Sequence, residues 1–298
     1  MGYDEFSMLA DNASEVGLPF TAPAVERRAV EVAPGQRVSA LVWGAGEPEL
    51  VLIHGGAQNA HTWDTVALAL GRSLVAIDLP GHGHSDWRED GAYNPVDNAD
   101  ALAITISELA PKAAGVVGMS LGGLTTIMLA SRHPELVRSA VIVDVTPGTD
   151  HAKAEPIIAF VDGPETFESF DEILQRTIQF NPTRSESSLR RGVLHNAYEL
   201  EDGKWSWRYD RLNRVRDEAA DGRVDFAEHW DDVSAIRCPL LLVRGGTSGV
   251  VGDEDVEEWR RRQPGSEVVV VEGAGHSVQG DRPVELAALI ERFVFASA

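Results

Sequence analysis

The feature that most constrains this chain is Val116-Val117-Gly118-Met119-Ser120-Leu121-Gly122-Gly123, an apolar run that ends in a Gly-x-Ser-x-Gly pattern and continues into Leu124-Thr125-Thr126-Ile127-Met128-Leu129-Ala130. It reads as strand, sharp turn and helix, with one hydroxyl at the apex. A turn this tight excludes bulky side chains two places before and two places after the serine, and it lifts the serine oxygen clear of the sheet. Gly118 and Gly122 meet that demand. The bare five-residue pattern arises by chance in about one chain in ten of this length, so the flanks decide. Gly115-Val116-Val117 is short, β-branched and apolar, and the stretch from Leu121 to Arg132 has helical length and stops before Pro134.

The same rhythm recurs along the chain. Residues 25–32 alternate in polarity, Pro34-Gly35 marks a turn, and 38–43 form the second strand of an antiparallel hairpin. Leu50-Val51-Leu52-Ile53 is a continuous apolar run, as expected of a strand buried on both faces of a parallel sheet. A helix follows over 63–70, then a strand over 73–77 that feeds the loop Asp78-Leu79-Pro80-Gly81-His82-Gly83-His84-Ser85, and a helix over 95–109. Beyond the elbow, Ala140-Val141-Ile142-Val143-Asp144 is a strand broken by Val145-Thr146-Pro147-Gly148. After residue 236 the sheet resumes at Leu240-Leu241-Leu242-Val243, followed by a helix over 253–262, a strand over 267–271 and a terminal helix opened by Pro283. Strands alternating with helices predict an α/β fold with a mostly parallel, doubly wound sheet.

Two segments stand outside this rhythm. Residues 1–24 are acidic with an apolar sprinkle that suits one short amphipathic helix, and predict a loosely held N-terminal arm. Residues 149–236 are rich in charge and in aromatics, among them Phe160, Phe167, Phe170, Trp205, Trp207, Tyr209 and Trp230. They predict an insertion that folds as a lid over the C-terminal edge of the sheet, helical over 165–180 and 185–200, with a turn at 201–204 into a short strand. The core is then 25–148 and 237–298.

Composition narrows the partners. With 26 basic and 47 acidic side chains the net charge is −21, and so acidic a surface repels nucleic acid and anionic lipid. At 298 residues and 43% hydrophobic, the chain buries about three quarters of its unfolded surface, enough for one large domain carrying an insertion. The single Cys238 excludes an internal disulfide, which fits a reducing compartment. The N-terminus lacks the charged and apolar regions of a signal peptide, and no apolar run has the length of a membrane span. Cytoplasmic residence, as monomer or homodimer, is the expectation.

Four motifs carry a resemblance: His54-Gly55-Gly56, Asp78-Leu79-Pro80-Gly81-His82-Gly83-His84-Ser85, Gly118-Met119-Ser120-Leu121-Gly122 and Gly273-Ala274-Gly275-His276. In this order and spacing the chain resembles the α/β-hydrolase fold superfamily from about residue 25 to its end. Within that superfamily, the run from His54 to Thr65 and the Val145-Thr146-Pro147 stretch are similar to those of small actinobacterial serine carboxylesterases. The resemblance implies a Ser, acid, His triad in that chain order and a lid inserted after the sixth strand. It also implies ester hydrolysis, of short to medium acyl chains, through an acyl-enzyme. Thioesterase, C–C hydrolase or perhydrolase chemistry on the same triad is the alternative, and a low-turnover ligand-binding protein of this fold is another.

A serine hydroxyl needs a base within hydrogen-bond reach. Of nine histidines, His276 follows the last strand in a loop of small residues that the fold brings over the elbow, and it is the expected base. His54 is expected to bond backbone, His82 and His84 to serve their glycine turn, and His133 to end a helix. His61, His151, His195 and His229 give no local signal. The expected oxyanion donors are the backbone N–H groups of Leu121 and Gly56, with Ala57 as the alternative to Gly56.

The acid departs from the family pattern. The usual Asp follows the strand written here Leu240 to Val243, but this chain has Gly245-Gly246-Thr247-Ser248-Gly249 there. Some members of the fold place the acid after the preceding strand, where Asp144 stands here, so the resemblance makes Asp144 the expected acid; a charge at the end of a buried strand also needs a partner, and a histidine is a natural one. Asp253 or Asp255 is the alternative, although both also suit the first turn of a helix; a water-bridged or absent acid is the last. Asp78 is assigned a structural role. No metal-ligand spacing and no dinucleotide fingerprint occurs, so neither metal nor cofactor is expected.

Overall fold

The computed structural model describes residues 3–91, 93–211 and 226–296. The expectations for the arm and the insertion extend over residues 1–2 and 212–225, and the reading of His151 concerns its side chain; these lie outside what is described. Eight strands form the main sheet in the order β1-β2-β4-β3-β5-β6-β10-β11. They are β1 (Val25–Ala33), β2 (Gln36–Trp43), β3 (Leu50–Ile53), β4 (Leu74–Ile77), β5 (Gly115–Met119), β6 (Ala140–Val143), β10 (Leu240–Gly245) and β11 (Glu267–Val271). The β1–β2 and β2–β4 pairs are antiparallel and the others parallel.

Every residue of β3, β4, β5 and β6 is buried, which is why these strands read as unbroken apolar runs. Their side chains sort by parity. Val51, Ile53, Val75 and Ile77 enter one core with the helices Pro95–Leu109 and Leu121–Arg132, while Leu50, Leu52, Leu74 and Ala76 enter a second core with Asp64–Leu70 and Pro283–Phe295. Asn94 starts the first of these helices by accepting the N–H groups of Val96 and Asp97, with Pro95 in the first helical position.

The segment between β6 and β10 leaves the sheet. It carries the helices His151–Val161, Phe170–Phe180 and Glu186–Asn196 and a small antiparallel sheet of β7 (Thr166–Phe167), β9 (Trp205–Trp207) and β8 (Ala197–Glu199). Two expected helices are therefore shorter, because Thr166, Phe167 and 197–199 pair as strands. Phe167, Ile173, Leu174, Leu189, Val193 and Trp207 give this segment a core of its own. Trp230 packs into the main core, edge-on to Trp259.

The arm is not loosely held. Its helix Leu9–Glu15 buries Leu9, Asn12 and Ala13. Glu5 binds Arg27, which also binds the fully buried Asp78 at 2.7 Å. Arg191 of the insertion donates to Asn12 and Glu15. The partners of the arm are thus more than twenty to nearly two hundred positions away in sequence, where a local reading does not reach.

Candidate active site

Ser120 stands between β5 and the helix Leu121–Arg132 with φ 52° and ψ −120°. A methyl group on Gly118 would overlap Gly122 O, and one on Gly122 would overlap Ile53 O, so the elbow closes only with glycine at both places. Among the described residues, the non-glycine positions with positive φ are Ala57, Ser120 and Asp144. They lie in the loops leaving β3, β5 and β6, three neighbouring strands of the sheet. Strain of this kind, about 1–3 kcal/mol at each position, persists only where packing enforces it.

The loop after β11 brings His276 over the elbow. Its Nε2 is 3.0 Å from Ser120 Oγ and its Nδ1 is 2.9 Å from Asp144 Oδ2. A carboxylate facing Nδ1 makes that nitrogen the donor, which leaves Nε2 as an acceptor for the serine hydroxyl. Asp144 is fully buried. Its charge is compensated by three donors: His276, the Gly245 N–H at 2.8 Å and the Ser248 hydroxyl. The loop after β10, which lacks the usual carboxylate, thus supplies the hydrogen bonds that hold Asp144.

The two alternative acids lie elsewhere. Asp253 is exposed and paired with Arg244, and Asp255 is tied to Lys153 at 2.7 Å and to the Gly252 N–H. Both sit in the first turn of the helix Asp253–Arg262, where carboxylates complement the helix dipole. The N–H groups of Gly56, Ala57 and Leu121 take no part in the backbone hydrogen bonds of their turns. Asn196 holds the Ala57 carbonyl at 2.6 Å.

The remaining histidines divide by environment. His54 donates from Nδ1 to Gly55 O and accepts the Leu79 N–H on Nε2; burial drives its pKa down to about 3. His82 bonds Pro80 O, His133 ends its helix against Asp100, and His229 pairs with Asp232. Asp78 accepts from Arg27 and from the backbone of Ala60 and His84, so it ties strand, loop and arm together.

His61 and His195, silent in sequence, meet in a buried cluster. Their rings stack 3.8 Å apart at 12°. His61 Nδ1 lies 2.9 Å from Asp64 and its Nε2 lies 3.1 Å from Glu5, while Tyr3 Oη is 2.6 Å from His195 Nδ1. Burial opposes a charge on His61, but the two carboxylates outweigh it and hold the pKa up to about 9. His195, beside that cation, is pushed well below the usual histidine range by burial. His61, Asp64 and His195 have metal-ligand proximity, yet nearly parallel rings do not aim two lone pairs at one point, and both His61 nitrogens already donate. The group fits a polar clamp joining arm, core and insertion better than it fits an ion.

Ser120 and His276 open into a cavity of about 590 Å³ whose other walls include Phe160, Val161, Phe180, Leu189, Trp207 and Arg184 of the inserted segment. No described helix is long and apolar enough to cross a membrane.

Comparison with known proteins agrees with this architecture. The profile of the Alpha/beta hydrolase family matches residues 50–289. The chain is 48% identical over 296 residues to the esterase Rv0045c of Mycobacterium tuberculosis, covering 97% of this chain and 95% of that protein. It is 30% identical to 2-(acetamidomethylene)succinate hydrolase of Mesorhizobium japonicum, covering 85% and 90%. A crystal structure of the mycobacterial esterase superposes with a TM-score of 0.84 at 46% identity over 98% of both chains. The chain accordingly belongs to the alpha/beta hydrolase family.

Proposed function

We propose that this protein is a serine carboxylesterase acting on small-molecule esters of short to medium acyl chain. The observation that carries the reading is the continuous row Ser120 Oγ, His276 Nε2, His276 Nδ1, Asp144 Oδ2, with links of 3.0 and 2.9 Å, opening on the cavity. The 48% identity to an esterase over nearly the whole chain supports it.

In this mechanism Ser120 Oγ attacks the ester carbonyl carbon as its proton passes to His276 Nε2. The Leu121 and Gly56 N–H groups, with Ala57 beside them, receive the developing oxyanion; removing a donor of this kind costs about 10² to 10³ in rate. Asp144 holds the imidazole in one tautomer and offsets the charge of the imidazolium. Collapse of the adduct breaks the bond to the alcohol, which leaves with the His276 proton. Water then repeats the sequence on the acyl-enzyme, releasing the acid and restoring Ser120. Every proton moves between this chain's own groups, substrate and water. The inserted segment serves as a lid, its Phe160, Phe180 and Trp207 forming an apolar wall for the acyl chain.

The test is a p-nitrophenyl ester series from acetate to octanoate with wild type and Ser120→Ala. Turnover falls by about 10⁴ or more in the variant. Absence of Ser120-dependent release at every chain length would sink the reading, and fluorophosphonate labelling of Ser120 without turnover would favour a ligand-binding role.

A further inference from the structure

We propose that Arg184 forms a carboxylate subsite in the cavity that Ser120 opens into, so that preferred substrates are esters carrying a second, ionised carboxyl group. The inference rests on the esterase reading and names its substrate class.

Arg184 lines the cavity together with Ser120 and His276. A guanidinium offers five N–H donors, and this one spends one of its groups, Nη2, on Ser188 Oγ at 2.7 Å. Its Nε is buried without a partner, and no carboxylate forms an ion pair with it among the described residues. Burial pushes its pKa below that of an ordinary arginine. An inward-facing cation without an ion pair is costly, because a buried charge gains stability only when it is compensated.

The other cations on the cavity wall are spent. Arg191 donates to Asn12, Ser187 and Glu15, and His61 lies between Asp64 and Glu5. The carboxylates nearest in effect to Arg184 are Asp281 and Glu15. Both have other partners: Asp281 accepts the Gly275 N–H at 2.8 Å, and Glu15 accepts from Arg191 and Ser185. Neither closes on the guanidinium.

Its seat also looks built. Arg184 precedes the helix Glu186–Asn196 of the inserted segment and reaches across to Gly280, in the short helix Val278–Asp281 that follows His276. A Cβ on Gly280 would stand 2.8 Å from Arg184 Cζ, so the absence of a side chain there lets the guanidinium lie against the backbone beside the base. A guanidinium with unspent donors in the wall of a cavity that holds the nucleophile matches a carboxylate.

The experiment compares monomethyl succinate, glutarate and adipate with neutral methyl esters of matched length, read as kcat/KM from methanol release. Wild type favours at least one half-ester over its neutral match by about tenfold or more, as a charge-assisted pair predicts. Arg184→Gln loses that preference, lowering kcat/KM on the half-ester by about tenfold more than on its neutral match, and Arg184→Lys restores part of it. Equal loss on both ester classes, or no preference in wild type, would overturn the subsite and leave the esterase reading intact. Binding of glutarate to the Ser120→Ala protein by calorimetry, abolished by adding Arg184→Gln, reads the subsite independently of turnover. If no ester turned over while that binding held, the esterase reading would fall and the subsite would stand.

Discussion

Two Asp–His pairs built on buried aspartates, each with a 2.9 Å contact, differ in what the far nitrogen of the histidine meets. Asp144 faces Nδ1 of His276, whose other nitrogen meets a neutral hydroxyl, Ser120, beside an open cavity. Asp64 faces Nδ1 of His61, whose other nitrogen meets a second carboxylate, Glu5, in the interior. The first imidazole presents its far nitrogen to a neutral hydroxyl, as the proposed mechanism requires; the second is flanked by two carboxylates that hold its pKa up to about 9. A histidine becomes a base or a clamp according to what its far nitrogen touches, not according to its near carboxylate.

The largest break in the comparison comes at Asp144. Asp144→Asn removes the orienting charge and lowers ester turnover by up to about 10⁴ with little change in fold, while Asp253→Asn leaves turnover near wild type. Steady-state rates on one p-nitrophenyl ester decide it; normal activity in Asp144→Asn would return the acid to another residue.

His61→Gln shows the reverse. It leaves Asp64 and Glu5 without their shared counter-ion and costs about 3–5 kcal/mol of stability, with turnover changed much less than in Asp144→Asn. Urea unfolding measures this. The pH dependence has a definite sign: the folded pKa, about 9, lies above the unfolded value of about 6.5, so the contribution is complete below pH about 6.5 and fades as pH rises through 9. Glu5 works at the other end. Burial raises its pKa, but His61 and Arg27 outweigh that and bring it to about 2; its contribution is present above pH about 4.5 and lost as pH falls toward 2. Wild type therefore loses more stability than His61→Gln between pH 7 and 10, and equal losses would refute the clamp.

The smallest effect sharpens the catalytic side. Ser248→Ala removes one of three donors to Asp144 and lowers kcat by about tenfold, equivalent to one hydrogen bond to a charged group. A change no larger than that of a surface serine would show that Gly245 and His276 suffice.

Much of this was legible in sequence because it is local. The elbow needs Gly118 and Gly122 within two residues of Ser120, and buried strands announce themselves as Leu50-Val51-Leu52-Ile53 or Ala140-Val141-Ile142-Val143. The departure after β10 was visible too, as Gly245-Gly246-Thr247-Ser248 where an acid is usual, though not that Ser248 would serve Asp144. A short helix in the arm is legible, but its docking is not, because the partners that fix it, Arg27, Arg191 and His61, lie in other segments. That Trp230 packs into the main core was not legible, because composition does not say which core a tryptophan enters.

The sequence by itself determined the strand-and-helix order, the strained serine turn and the short choice of partners for it, since these depend on periodicity and on steric demands within a few residues. Only the tertiary structure decided which aspartate meets His276, which histidine becomes a clamp and which arginine is left facing the cavity. Those outcomes depend on contacts between separate segments, 132 positions apart for Asp144 and His276 and 56 for Glu5 and His61, and electrostatic pairing is set by distance and burial rather than by sequence order.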